Sequence, residues 1–303
     1  MPQSNGSSPK PPHSPVVAAW ARQGRYRTLG GHRVFTVDRP PDGEETAEPL
    51  LVLHGFPTSS FDFHLVLDGL ARGRRVLLLD FVGFGLSAKP DLAYTIDLQA
   101  NAVMDFMAEE GIERFALLTH DMGDTIGGEL LARQADGVWP VDISRRVLAN
   151  GSIYIEMAHL STGQQLLLSL PDQLLAAEAL DRQSVTASLM ATFATGARVP
   201  DDELAALWEL LAFGDGQRVM PRTIRYIEER RLRQHRYTGA IERHPSPLTV
   251  VWGAEDPIAV APMVSRLQES RPDVTVHWLD GVGHYPMLEA PERFLTATLA
   301  GLA

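Results

Sequence analysis

The run Ala116-Leu117-Leu118-Thr119-His120-Asp121-Met122-Gly123-Asp124 reads as a strand, a sharp turn and the start of a helix. Its spacing, small-x-nucleophile-x-small, is that of a nucleophile elbow, with Asp121 where a serine usually stands. A carboxylate with a reference pKa of about 3.9 is already ionised at neutral pH, so it needs no base to attack. It is a weak nucleophile toward amides and suits an sp³ carbon that carries a strained or good leaving group. Attack there would form an alkyl-enzyme ester. A structural role is open at the same position, because an aspartate before a helix also serves as an N-cap.

Two further residues could complete that chemistry. Asp256, in Trp252-Gly253-Ala254-Glu255-Asp256-Pro257, follows one strand-like run, and His284, in Gly281-Val282-Gly283-His284-Tyr285-Pro286, follows the last. A histidine oriented by a carboxylate could deprotonate the water that hydrolyses the ester. Ten histidines are present, and His284 is set apart by its glycine-flanked loop and its position in the chain. At His54-Gly55-Phe56-Pro57 another strand ends in a Gly/Pro turn. The backbone N–H groups of Phe56 and Met122 are the expected donors to a developing oxyanion.

Such groups need a rigid frame. Arg25–Leu29 and Arg33–Val37 flank Gly30-Gly31-His32, a hairpin-type turn. Apolar runs then alternate with helical patterns at Leu50–Leu53, Val76–Leu79, Phe115–Thr119, Val147–Ala149, Leu248–Trp252 and Val274–Leu279. Fully apolar runs of this kind predict a parallel sheet covered on both faces, in a doubly wound α/β domain. Ile96–Glu110 is expected to be a helix with Thr95 as its N-cap. Asp80-Phe81-Val82-Gly83-Phe84-Gly85-Leu86-Ser87 lacks the lysine of a phosphate loop and reads as a backbone turn beside the site.

Between Gly151 and Pro247 no buried strand is evident, and the pattern is helical. That segment is expected to lie as a lid over the carboxyl ends of the strands, with an independent helical domain as the alternative. The organisation expected is a flexible tail at 1–18, a core at 19–151 and 247–303, and a helical cap at 152–246. Arg222 to Arg236 form a basic stripe, but the interleaved Glu228 and Glu229 suggest a solvated face rather than an anion site.

Composition narrows the function classes. The 303 residues are 45% apolar with a formal charge of −11, which argues against nucleic acid or anionic membranes as partners. Without cysteine there is no thiol nucleophile and no thiolate metal site. No apolar run reaches the length of a membrane span, and the Pro/Ser-rich start lacks the apolar stretch of a signal peptide. A cytoplasmic location is therefore expected.

HGFPTSS, DFVGFGLS, THDMGD, GAEDP and GHYPMLEAPERF together resemble the α/β-hydrolase superfamily, over nearly everything after residue 25. They are similar in particular to its aspartate-nucleophile branch, the epoxide hydrolases and haloalkane dehalogenases. The HDxGD elbow, Asn150-Gly151, Tyr226-Ile227 and His284-Tyr285-Pro286 look most similar to the mesoderm-specific transcript proteins. The resemblance implies a mostly parallel eight-stranded sheet with a helical cap, and a catalytic set of Asp121, His284 and Asp256. It also implies a ring-opening acid in the lid, for which Tyr226 is the candidate and Tyr154 a second, although one packed tyrosine on an amphipathic lid helix is the slightly favoured reading of Tyr226.

No cofactor or metal is implied, and the partners are a small apolar substrate and water. Two departures weigh against a dehalogenase: Met122 replaces the usual tryptophan, and Phe56 replaces a polar amide donor. The missing tryptophan is a departure from the epoxide hydrolases too. The expected function is epoxide-hydrolase-like. The alternatives are a dehalogenase or a lactone- or ester-cleaving enzyme on the same site, and a non-catalytic binding module on a hydrolase fold.

Overall fold

The computed structural model describes residues 14–176 and 179–303. Eight strands form one sheet: β1 (Gly24–Leu29), β2 (His32–Arg39), β3 (Leu50–Leu53), β4 (Val76–Leu79), β5 (Arg114–His120), β6 (Asp142–Ala149), β7 (Leu248–Gly253) and β8 (Thr275–Leu279). Their order is β1-β2-β4-β3-β5-β6-β7-β8. The β1–β2 hairpin forms where expected, and β2 also pairs antiparallel with β4. From β4 to β8 every pairing is parallel.

Alternation along the inner strands divides their side chains between two buried faces. Leu51, Leu53, Leu77 and Leu117 pack on one side, with Val103 and Phe106 of helix Ile96–Glu109 and Ile126 of helix Met122–Ala135. Leu50, Val52, Leu78 and Leu118 pack on the other, with Phe294 of helix Pro291–Gly301. Each such side chain removed from water contributes about 1.5–3 kcal/mol, which is why uninterrupted apolar runs settle in the middle of the sheet. The Thr95 hydroxyl accepts from the Leu98 N–H at 3.1 Å, as expected of an N-cap.

Two expectations are corrected. The sixth strand starts five residues before Val147, because Arg145 and Arg146 hide it from a search for apolar runs. Arg146 is buried, and its guanidinium donates to the carbonyls of Ile241, His244 and Ser246. The tail expected at 1–18 does not extend past Ser14, since Pro15–Ala21 is a helix. Ser14 caps it, and Val17 and Trp20 are buried against Phe61 and Leu207 of the second apolar face. Residues 1–13 lie outside the described residues.

From β6 to β7 the described chain is helical, with Thr162–Ser169, Arg182–Met190, Asp201–Ala212, Gly216–Thr223 and Tyr226–Arg243. The last of these lies along helix Met122–Ala135. Their backbones meet so closely at Gly128 that a Cβ there would fall 2.7 Å from the Tyr237 carbonyl oxygen. Buried Glu129 ties the pair together, accepting from Arg236 at 2.6 Å and Arg133 at 2.8 Å. Among the described residues no helix is long and apolar enough to cross a membrane.

Candidate active site

Asp121 stands between β5 and helix Met122–Ala135 with φ 49° and ψ −113°. Residues with a Cβ avoid that region, so the turn is strained and must be held by its surroundings. Its side chain makes no capping bond to the helix, which removes the N-cap explanation for an aspartate here. The turn closes against β3, where a Cβ on Gly123 would lie 2.5 Å from the Leu53 carbonyl oxygen. Gly123→Ala should therefore cost about 1–3 kcal/mol in a denaturant melt, together with activity. An unchanged melt would refute the tight approach.

The two oxygens of Asp121 have different neighbours. Oδ2 accepts the Phe56 N–H at 2.8 Å, and the Met122 N–H also favours the charged carboxylate. Oδ1 faces the Tyr226 hydroxyl at 3.4 Å and His284 Nε2 at 3.9 Å. Burial is the largest influence on this group and pushes its pKa up. His284, the two backbone amides and Arg230 pull the other way without cancelling it.

His284 Nδ1 lies 2.8 Å from Asp256 Oδ2, and the carboxylate can only accept, so the ring proton sits on Nδ1. Asp256 is fixed on both sides: Oδ1 accepts the N–H groups of Ile258 at 2.7 Å and Ala259 at 2.9 Å. Oδ2 also accepts from Asn150 Nδ2 at 2.8 Å. Burial, the largest influence on His284, works against the imidazolium. Asp256, through charge and hydrogen bond, then Asp121 and Glu289, outweigh it and raise the pKa to about 9.

Asn150 was visible in the sequence as the end of a strand, but its role was not. Its positive φ of 41°, which asparagine tolerates better than most residues, turns the amide toward β7. Oδ1 then accepts the Gly253 N–H while Nδ2 steadies Asp256. An Asn-Gly pair at the end of the strand beside β7 was the signal available.

The tyrosine candidates separate. Tyr226, buried on helix Tyr226–Arg243, is brought to Asp121. The hydroxyl of Tyr154 instead donates to Glu242 at 2.8 Å, with Arg266 over its ring, so it is committed away from Asp121. Tyr154 is withdrawn as a second acid. The Asp80 loop behaves as the expected turn: Oδ1 accepts the Ser60 N–H and Oδ2 the Leu86 N–H, stitching it to the segment after β3.

The basic stripe is mostly the salt-linked face expected, with Arg222 paired to Asp91, Arg225 to Glu228 and Arg233 to Asp97. Arg230 departs from it. The residue is 0% exposed, and none of its three guanidinium nitrogens has a hydrogen-bond partner among the described residues. Beside Asp121 and His284 lies a cavity of about 480 Å³. Leu167, Leu170, Val185, Leu189 and Met220 line it, and Phe56 and His284 join it to Asp121.

A model of the alpha/beta hydrolase family matches residues 50–297. The chain belongs to that family. The alpha/beta hydrolase sheet and its strand-end loops account for the order in which Asp121, Asp256 and His284 occur. Among relatives, a Mycobacterium tuberculosis protein named "Putative hydrolase LipZ" is 38% identical over 288 residues, covering 95% of this chain and 98% of its own. The mesoderm-specific transcript protein of Mus musculus is 34% identical over 302 residues, covering 95% and 88%. Among solved structures, the epoxide hydrolase CorEH superposes with a TM-score of 0.71 at 17% identity, covering 92% of this chain and 97% of that one. At that identity the likeness is one of alpha/beta hydrolase fold alone.

Proposed function

We propose that this hydrolase uses Asp121 as a nucleophile, and that the alkyl-enzyme ester it forms is hydrolysed by water activated by His284. Residues 152–246 act as the cap that encloses the substrate. The observation that carries this reading is the division of labour at the Asp121 carboxylate. One oxygen accepts the Phe56 N–H, while the other faces a phenol and an imidazole. In the first step Oδ1 bonds to the electrophilic carbon and the leaving atom departs with the bonding pair. Where that atom is an epoxide oxygen, the Tyr226 hydroxyl protonates it.

In the second step His284 Nε2 takes a proton from water, and the hydroxide adds to the ester carbonyl. The Phe56 and Met122 amides hold the resulting oxyanion, an interaction often worth about 3 kcal/mol per donor. Collapse expels the alkoxide, which recovers the proton from His284, and the acid left on Asp121 restores the proton to Tyr226. The mainly apolar cavity supports a neutral, apolar epoxide as the substrate class.

The test replaces His284 with alanine, incubates the protein with a panel of epoxides and haloalkanes, and measures intact mass. A covalent adduct on the Asp121 peptide is expected. No adduct in the variant, with no wild-type turnover across the panel, would overturn the proposal. Tyr226→Phe should slow epoxide opening by about 10²–10⁴-fold, the usual worth of a placed proton donor, while sparing halide displacement. Equal losses on both substrates would remove Tyr226 as the acid.

A further inference from the structure

Arg230 is a guanidinium sealed from solvent with all three nitrogens unbonded among the described residues. Taking such a charge out of water is costly unless an opposite charge compensates it. It lies four residues after Tyr226 on one helix, and residues at that spacing share a face. Tyr226 in turn reaches Asp121 Oδ1. Of the nearby acids, Glu156 is engaged by Gln234 and Arg266. Asp124, the acid that acts on Arg230 most strongly, is pushed up to about 8, chiefly by burial, so it is largely neutral at pH 7. Asp121 is the next carboxylate acting on Arg230, and its charge is the one that the proposed reaction removes.

We propose that Arg230 and the Tyr226 hydroxyl form a site for a small monovalent anion, closed while Asp121 is ionised and opened when Asp121 becomes an ester. The inference rests on the reading of Asp121 as the nucleophile. When Oδ1 bonds to carbon, Asp121 loses its charge and the leaving atom takes the electron pair. Arg230 then loses its counter-charge as an anion is released beside it. With a haloalkane that anion is the halide; with an epoxide it is the Tyr226 phenolate left after proton donation.

Neutralising Asp121 by mutation should open the site without any reaction. Chloride binding is followed by ³⁵Cl line broadening on the full chain, as wild type, Asp121→Asn, Asp121→Asn/Arg230→Met and Asp121→Asn/Arg230→Lys. Asp121→Asn should bind chloride at least ten-fold more tightly than wild type. Arg230→Met in that background should return it to the wild-type level, and Arg230→Lys should retain binding. Equal affinity in wild type and Asp121→Asn would overturn the proposal, as would full affinity in the Arg230→Met double variant. Should the methionine variant fail to fold, Asp121→Asn/Arg230→Gln takes its place with the same expected loss. No turnover is needed, so a failure here is separate from a missing adduct on Asp121.

Discussion

Asp121→Asn is expected to reduce turnover by about 10⁶-fold, the order seen when a covalent nucleophile is removed. Asparagine fits the same space, and its carbonyl oxygen keeps the Phe56 N–H that Oδ2 now accepts. Its amide nitrogen then takes the place of Oδ1, facing Tyr226 and His284. An amide nitrogen has its lone pair delocalised and cannot displace at carbon, so binding survives while the first step stops. A single turnover of wild type in ¹⁸O-water gives the companion result. Water attacks the ester carbonyl, so one heavy oxygen should enter the Asp121 carboxylate and none the product. Label in the product with an unlabelled protein would mean that His284 directs water straight at the substrate, and the covalent step would be lost.

The second large effect is expected of Asp256→Asn, at about 10⁴-fold, the size of the corresponding change in the protease triad. Its cause is the proton on His284. Oδ1 of Asp256 accepts two backbone N–H groups, so the asparagine carbonyl must stay there. The amide NH2 would then meet His284 Nδ1, which has to accept instead of donate, and the proton moves to Nε2. The nitrogen that should deprotonate water is thereby blocked. Alkylation of Asp121 does not need it, so the ester should accumulate in the variant and be visible by mass.

The same residue sets a pH dependence. Removing the Asp256 carboxylate takes away the main influences that raise His284, so its pKa falls from about 9 and the rising limb of ester hydrolysis moves to lower pH. In the wild-type fold the raised His284 contributes stability that is fully present below about 6.5 and fades as pH rises through about 9. Melts of the two proteins across that window should converge at high pH. A constant difference would assign the loss to packing alone.

The inner strands and the elbow were legible because their signals are local. Apolar runs such as Leu50–Leu53 and Val76–Leu79 have few alternatives to the middle of a sheet, and Thr95 needs only its own helix to act as a cap. What escaped depends on distant partners. Arg146 interrupts an apolar pattern with a charge that three carbonyls far along the chain satisfy, so β6 looked shorter than it is. Arg230 could not be told from Arg231 beside it, since helical phase relative to an unseen neighbour decides which one is buried. Tyr154 and Tyr226 were both plausible acids by type, and only the carboxylate each one meets separates them. The start of the first helix was hidden by the prolines and serines around it, and Trp20 packing against Phe61 anchors it.

Helix Tyr226–Arg243 is bolted to the elbow helix through Glu129 and to the sheet through Arg146, whereas the cavity walls come largely from the helices between Ser161 and Thr192. Most of the cavity wall thus comes from a part of the chain separate from Asp121, Tyr226 and Arg230, with His284 joining the two through its N–H to the Thr192 carbonyl. A designer could exchange the Ser161–Thr192 stretch to accept bulkier or longer molecules while leaving Asp121, Tyr226 and Arg230 undisturbed. By the same division, drift in that stretch among descendants of one ancestor would diversify what is processed long before it altered how.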